Sequence, residues 1–232
     1  MFSDILRGKT MIGLGDSLLF GQGIEQKDTW FNRLGEAFSM NYRNYGVSGT
    51  TVAESDVPDP MWRRLSRIFA ENPVCDYFIL EGGANDMWHS VPLGSKWLTD
   101  EHGAPIRNDR LGTVPCTDTN TFCGAINYII SEVKTHYPRA KILILTNYNR
   151  KVRQKNGLRD EDYVNATVEV AKYRGIPVID NYHDIGLNFC DPEIAGFPTD
   201  FAWAGTSDGT SHISAEGHEF LLNIYYQKLI SI

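Results

Sequence analysis

Short apolar runs alternate with amphipathic helical stretches along the whole chain, and this alternation constrains the fold more than any other feature. The apolar runs predict buried strands at about 9–15, 42–47, 76–81, 140–146 and 176–180. Helical periodicity is found near 28–40, 60–71, 121–137, 158–174 and 214–230. Because alternating strands and helices build βαβ units, we predict an α/β fold. Its expected form is a doubly wound, three-layer α/β/α sandwich around a parallel sheet of about five strands.

No segment of the chain is typical of a linker between domains. The 232 residues are 42% hydrophobic, which is enough to bury the core of one domain. One stretch departs from the alternation, because residues 88–120 contain three prolines and no convincing helix. We therefore predict a single domain over residues 1–232 with an irregular insertion at about 88–120. Within the insertion, 96–99 and 104–106 are expected to form two short strands around a turn.

The charge and hydropathy of the chain argue against several classes of partner. The formal net charge is −7, whereas nucleic acids and anionic membranes attract basic surfaces. No apolar run reaches the roughly 18 residues that cross a bilayer, and the first residues lack the apolar core of a signal peptide. We expect no nucleic-acid partner, no membrane partner and, by default, a cytoplasmic location. The sequence leaves the oligomeric state open.

The cysteines and histidines indicate neither a disulfide framework nor a metal site. Four cysteines are too few to form a framework in a chain of this length. Cys75 precedes an apolar run and is typical of a core position. Cys116 and Cys123 do not have the spacing of a zinc or redox pair, so they are either inert thiols or one disulfide. The histidines also lack metal-ligand spacing, so we expect no metal and no cofactor.

The stretch at 9–17 places a serine directly after the first predicted strand. Gly13 and Gly15 permit a tight turn, and Asp16 and Ser17 follow it. Ligands of open parallel sheets bind outside the carboxyl ends of the strands, where Ser17 can present its hydroxyl and its amide. The glycines also begin a dinucleotide-binding pattern, but Leu18 replaces its third glycine. Taken alone, this tripeptide is equally typical of a turn with a helix cap.

Three further loops carry polar residues that should reach the same edge of the sheet. Asn44 and Gly49 follow the second predicted strand, Asn85 follows the third, and His212 precedes the last helix. Each loop alone is compatible with an ordinary turn or helix cap. Since parallel strands share one carboxyl edge, the four loops together indicate a catalytic site with a serine nucleophile and a histidine base.

These loops resemble the sequence blocks of the SGNH hydrolases, also called GDSL esterases and lipases, over essentially the whole chain. The matching residues are Gly15-Asp16-Ser17-Leu18, Asn44 with Gly49, Gly83-Ala84-Asn85-Asp86, and the region around His212. The resemblance implies a flavodoxin-like fold, with Ser17 as nucleophile and His212 as general base. It also implies an oxyanion hole formed by the amides of Ser17 and Gly49 and by the side chain of Asn85.

The acidic residue of the predicted triad departs from the pattern of this family. The family's acid lies three residues before the histidine, whereas Gly209 holds that position here and Asp208 lies four residues before it. Either the loop bulges so that Asp208 still reaches His212, or a backbone carbonyl orients the ring. Asp16 and Asp86 are expected to tie neighbouring loops together by hydrogen bonds.

Three tryptophans near the predicted site bear on the substrate. Trp88, Trp97 and Trp203 lie in or beside irregular stretches, where they can stack on sugar rings or simply pack the loops. We predict a serine ester hydrolase that removes short acyl groups, such as acetyl, from a carbohydrate or a similar polar ester. The alternatives are a lipase or acyl-thioesterase of the same family, and a weakly active binding or structural module of a larger surface or viral assembly.

Overall fold

A sheet of five parallel strands forms the centre of the protein, whose computed structural model describes residues 5–108, 112–149, 154–186, 203–204 and 212–232. The strands are β1 (Thr10–Gly15), β2 (Asn41–Gly46), β3 (Tyr77–Glu81), β4 (Lys141–Leu145) and β5 (Val178–Ile179). Their order is β2-β1-β3-β4-β5, and each neighbouring pair is parallel. This arrangement confirms the predicted doubly wound α/β fold.

Helices cover both faces of this sheet. In the described residues they are α1 (Ser17–Phe20), α2 (Trp30–Ala37), α3 (Met61–Glu71), α4 (Ala84–Trp88), α5 (Phe122–His136), α6 (Asp160–Arg174) and α7 (Ala215–Ser231), with a 3₁₀ turn at Gln26–Asp28. Side chains alternate along β1, so that Ile12 and Leu14 belong to the core under α3, α5 and α6. Met11 belongs to the opposite core, under α2 and α7. The protein therefore has three layers.

Three antiparallel pairs of two-residue strands are described outside the central sheet. They join Arg107–Asn108 to Gly112–Thr113, Gln154–Lys155 to Leu158–Arg159, and Trp203–Ala204 to His212–Ile213. The first pair lies in the predicted insertion, and the third contains the predicted catalytic histidine. Among the described residues, none of the helices combines the length and the apolar character that crossing a membrane requires.

The predicted insertion folds back against α5 and α6. Thr99 and Pro105 form an isolated antiparallel bridge across the predicted turn, but neither 96–99 nor 104–106 forms the predicted strand. The side-chain amide of Asn127 in α5 donates to a backbone carbonyl of the insertion at 2.8 Å. The hydroxyl of Tyr173 in α6 donates to the carbonyl of Thr113 at 2.6 Å. These bonds attach the insertion to the flank of the sandwich.

Candidate active site

Ser17 is the first residue of α1 and follows the end of β1 after one residue. Asp16 caps this helix, since its Oδ1 accepts the N–H of Leu18 at 2.9 Å. Gly15 allows α1 to pack closely against the end of β1, because a Cβ at position 15 would lie 2.6 Å from the side chain of Leu19. The first amides of a helix have no partner within it, so the N–H of Ser17 can serve a ligand. Asp16 therefore caps the helix, and the Ser17 hydroxyl is available for catalysis.

His212 lies against Ser17, although the two residues are 195 positions apart in the chain. The Nε2 atom of His212 is 3.0 Å from the Oγ atom of Ser17. Ala204 is paired with His212 on one side, and α7 begins shortly after it, capped by Ser214, whose hydroxyl accepts the N–H of Gly217 at 3.0 Å. A hydroxyl and an imidazole nitrogen at this distance can exchange a proton directly.

Gly49 lies in a turn between β2 and α3. Its φ angle is +81°, which glycine adopts without strain and which a type II turn requires at its third position. Thr50 closes the turn, since its N–H and its hydroxyl both donate to the carbonyl of Val47, at 3.4 and 2.8 Å. The N–H of Val47 donates to the carbonyl of Gly15 at 3.1 Å. The turn is therefore attached to the end of β1 from which Ser17 projects.

Asn85 connects these two loops to the end of β3. Its Nδ2 donates to the carbonyl of Thr50 at 2.9 Å and lies 3.4 Å from Oδ2 of Asp16. The first bond uses one amide hydrogen. The second contact is long and weak, so the other amide hydrogen of Asn85 can instead be donated to an oxyanion. The structure thus brings Ser17, Gly49, Asn85 and His212 to one edge of the sheet.

Asp86 is fully buried behind this edge and holds the loop that follows Gly49. Its two carboxylate oxygens accept the N–H of Val52 at 3.1 and 2.9 Å, and Oδ1 also accepts the N–H of Ala53 at 3.0 Å. Burial raises the pKa of Asp86 to about 7, and the negative charge of Asp16 acts in the same direction. The two amides favour the ionised carboxylate and partly oppose this effect.

Two of the three tryptophans lie beside the predicted catalytic residues. Trp88 ends α4, one turn beyond Asn85, and its side chain is 51% exposed. The Nζ atom of Lys155 lies 5.8 Å above its ring. The backbone of Trp203 pairs with Ile213, next to His212.

Trp97 lies in a different part of the molecule. Its ring packs edge-on against Tyr173 of α6, with 5.9 Å between the ring centroids. It lines a cavity of about 570 Å³ between the insertion, α5 and α6, and none of Ser17, Asn85 and His212 lines this cavity. The predicted contact of Trp97 with the substrate therefore has no geometric support.

The remaining sequence predictions concern acidic, sulfur and metal chemistry. Asp208 falls outside the described residues, so both interpretations of its spacing remain predictions. Cys75, Cys116 and Cys123 are free thiols, so the alternative of a disulfide between Cys116 and Cys123 is not realised. Within the described residues, no group of three or more His, Cys, Asp and Glu side chains is arranged to hold a metal ion.

Arg64 of α3 is a residue of this region that the sequence reasoning missed. Its guanidinium is buried and reaches the ends of β1 and β2 and the turn that contains Gly49. The sequence contained a signal, because the buried positions of α3 are Met61, Arg64, Leu65 and Ile68. An arginine therefore stands at helical spacing on an otherwise apolar face.

Comparison with known proteins gives one family and several similar folds. The model of the GDSL-like lipase/acylhydrolase family matches residues 14–220. A Lactobacillus plantarum protein of solved structure is 22% identical over 97% of this chain and 98% of its own, with a TM-score of 0.75. A member of the lipolytic G-D-S-L family from Veillonella parvula is 14% identical over 95% and 97%, with a TM-score of 0.62. No curated protein matches the chain in sequence.

Proposed function

The chain belongs to the GDSL-like lipase/acylhydrolase family, and we propose that it is a serine esterase that removes short acyl groups, acetyl above all, from a carbohydrate or a similarly polar alcohol. The family match confirms the predicted family and the predicted class of hydrolase. The observation that carries the proposed mechanism is the distance of 3.0 Å between Oγ of Ser17 and Nε2 of His212.

The proposed reaction proceeds through an acyl-enzyme. Oγ of Ser17 attacks the ester carbonyl while His212 accepts the hydroxyl proton, and a tetrahedral intermediate forms. The amides of Ser17 and Gly49 and the side chain of Asn85 donate to its oxyanion. The intermediate collapses and expels the alcohol, which takes the proton from His212. A water molecule then attacks the acyl-serine, again with His212 as base, and the acid is released.

The polar side chains near the end of α4 support a polar alcohol as the leaving group. Nδ1 of His89 lies 2.7 Å from a carboxylate oxygen of Asp56. The side-chain amide of Asn156 donates to the hydroxyl of Ser90 at 2.8 Å. His89 and Ser90 directly follow Trp88 in the chain. An exposed aromatic ring with polar groups nearby allows a site to stack on a sugar ring and to hydrogen-bond its hydroxyls.

A lipase or acyl-thioesterase is the second candidate, and one observation favours it. Each of the three loops with a predicted oxyanion donor exposes one large apolar side chain, namely Phe20 at 40%, Val47 at 36% and Trp88 at 51%. Apolar side chains around a catalytic serine can receive a longer acyl chain. The two candidates therefore differ in the acyl length that they predict.

Hydrolysis of nitrophenyl esters with acetyl, butyryl and octanoyl groups tests the proposal. We expect the acetyl ester to have the highest kcat/KM, with removal of acetate from acetylated oligosaccharides. Ser17→Ala should abolish both activities without unfolding the protein, whereas Ser66→Ala, an exposed serine of α3, should not change them. Faster cleavage of the octanoyl ester would favour the second candidate. Absence of both hydrolysis and labelling of Ser17 by a fluorophosphonate would refute a serine esterase and favour a binding module.

A further inference from the structure

Arg64 is a charged side chain buried at the centre of the loops that surround Ser17. The residue is 2% exposed, and its guanidinium donates three hydrogen bonds. Nη1 donates to the carbonyl of Tyr45 at 2.5 Å. Nη2 donates to the carbonyl of Gly15 at 3.1 Å and to the hydroxyl of Thr50 at 2.9 Å.

Each of these acceptors belongs to a segment that leads to a predicted oxyanion donor. Gly15 ends β1 and is followed by Asp16 and Ser17. Thr50 follows Gly49 directly, and its hydroxyl in turn donates to the carbonyl of Val47, which begins the same turn. The guanidinium therefore fixes the position of the Gly49 turn relative to the end of β1.

Stability alone does not account for a charge at this position. The neighbouring buried residues of α3 are apolar, and an apolar side chain at position 64 would avoid the desolvation of a guanidinium. Burial lowers the pKa of Arg64 to about 10, so it is still charged at neutral pH. Oδ2 of Asp59 lies 3.9 Å from its Nε, and the charges of Asp59 and Asp16 both favour the charged form. A planar fork of donors can bind several acceptors in one fixed geometry, which a lysine ammonium cannot do.

We propose that Arg64 is a positioning residue for the oxyanion hole: its guanidinium holds the end of β1, the end of β2 and the Gly49 turn in one arrangement, so that the amides of Ser17 and Gly49 converge on the same point. This inference rests on the proposed esterase function. It assigns to Arg64 no contact with the substrate. Its effect should therefore appear where the oxyanion forms, in the transition state, and not in the binding of the substrate.

Arg64→Lys is the first test, because it retains the positive charge and removes the fork. We expect kcat for nitrophenyl acetate to fall about 10- to 100-fold with KM changed less than about threefold, as for a small misplacement of catalytic groups. A trifluoromethyl ketone, which forms a reversible tetrahedral adduct with the serine, should lose affinity by a similar factor. Arg67→Lys is the matched control: Arg67 lies on the exposed side of α3, with its Nε 3.5 Å from Glu71, and its replacement should leave these values unchanged.

A second pair of variants tests the same contact with Arg64 left in place. Thr50→Val removes the hydroxyl that accepts from Arg64, and we expect it to lower kcat in the same way. Thr50→Ser restores a hydroxyl and should recover most of the loss. If Arg64→Lys does not fold, this pair decides the question alone. Leu65→Ala controls for lost stability, because it leaves a cavity in the core beneath α3 and removes none of the hydrogen bonds of Arg64.

The outcomes separate this inference from the proposed function. A loss of kcat in Arg64→Lys and in Thr50→Val, with Leu65→Ala retaining its kcat, supports the positioning role. An effect on KM alone, or a loss of activity that follows thermal stability across all the variants, would overturn it. Equal rates of Ser17 labelling by a fluorophosphonate in wild type and Arg64→Lys would also overturn it, with the esterase function intact. A wild-type protein that neither hydrolyses esters nor is labelled overturns both proposals.

Discussion

Replacing His218 with asparagine should make the folded protein less sensitive to acid. His218 lies in α7 and is 1% exposed. Its Nδ1 accepts the N–H of Trp30, the first residue of α2, at 3.2 Å, so this bond joins two helices of the same layer. The bond requires an unprotonated Nδ1. Burial lowers the pKa of His218 from its ordinary 6.5 to about 4, and the nearby charge of Arg33 adds to this effect.

The sign of the effect follows from the two pKa values. Between pH 4 and pH 6.5 the unfolded chain binds the proton of His218 while the folded protein does not. The free energy of unfolding therefore falls as the pH falls through this window. Above pH 6.5 His218 is neutral in both states and does not lower the free energy of unfolding. With a pKa of about 4 in the folded state and 6.5 in the unfolded state, the loss is about 2 kcal/mol at pH 5 and about 3 kcal/mol at pH 4.

Urea unfolding of the wild type and of His218→Asn between pH 4 and pH 8 measures this contribution. The Oδ1 atom of asparagine can accept from Trp30 in place of Nδ1, and it does not titrate. We expect the variant to lose about 3 kcal/mol less than the wild type from pH 8 to pH 4, because the other groups cancel in the difference. His102→Asn, the same replacement at an exposed histidine, is the matched control. A difference between wild type and His218→Asn that stays constant over this range would refute the reasoning.

The remaining predictions concern the loops around Ser17. The folded protein retains the proton of Asp86 between pH 3.8 and about 7, so the contribution of Asp86 to stability should fall by about 4 kcal/mol as the pH rises through this window, opposite in sign to the contribution of His218. Asp86→Asn should abolish that fall in urea unfolding. Asn85→Ala should lower kcat by roughly 10²–10³ with little change in KM, and an effect on KM alone would make Asn85 a binding residue. Asp208→Asn should lower kcat by up to roughly 10⁴ if Asp208 orients His212, and a loss below about threefold would assign that role to a backbone acceptor.

The central strands could be predicted because nearly all of their residues are buried. All six residues of β1 are buried, so the strand is a continuous apolar run in the sequence. The edge strand β2 is different, because only Tyr45 is fully buried among its polar residues. It was predicted one residue late, at 42–47, since an edge strand has one neighbour and a weaker apolar signal.

The site could be predicted as a set of loops but not as a set of contacts. Parallel strands share a carboxyl edge, which brings Ser17 and Asn85 together without further information. The role of Arg64 depends on acceptors that are 14, 19 and 49 residues away, and two of them are backbone carbonyls, which any residue carries. The position of Trp97 was also not predictable, because the direction of the insertion depends on its contacts with α5 and α6.

The buried charges around the Ser17 loops complement one another. The carboxylates of Asp16 and Asp86 accept backbone N–H groups, whereas the guanidinium of Arg64 donates to carbonyls and a hydroxyl. Two buried carboxylates alone would oppose a negative charge forming beside them. Burial raises the pKa of Asp86 to about 7, so part of it is protonated at neutral pH, and Arg64 remains positive. In the proposed mechanism the charges therefore fix the loops while their sum stays small, and stabilisation of the oxyanion is left to neutral amides, whose dipoles are already in place when the charge develops.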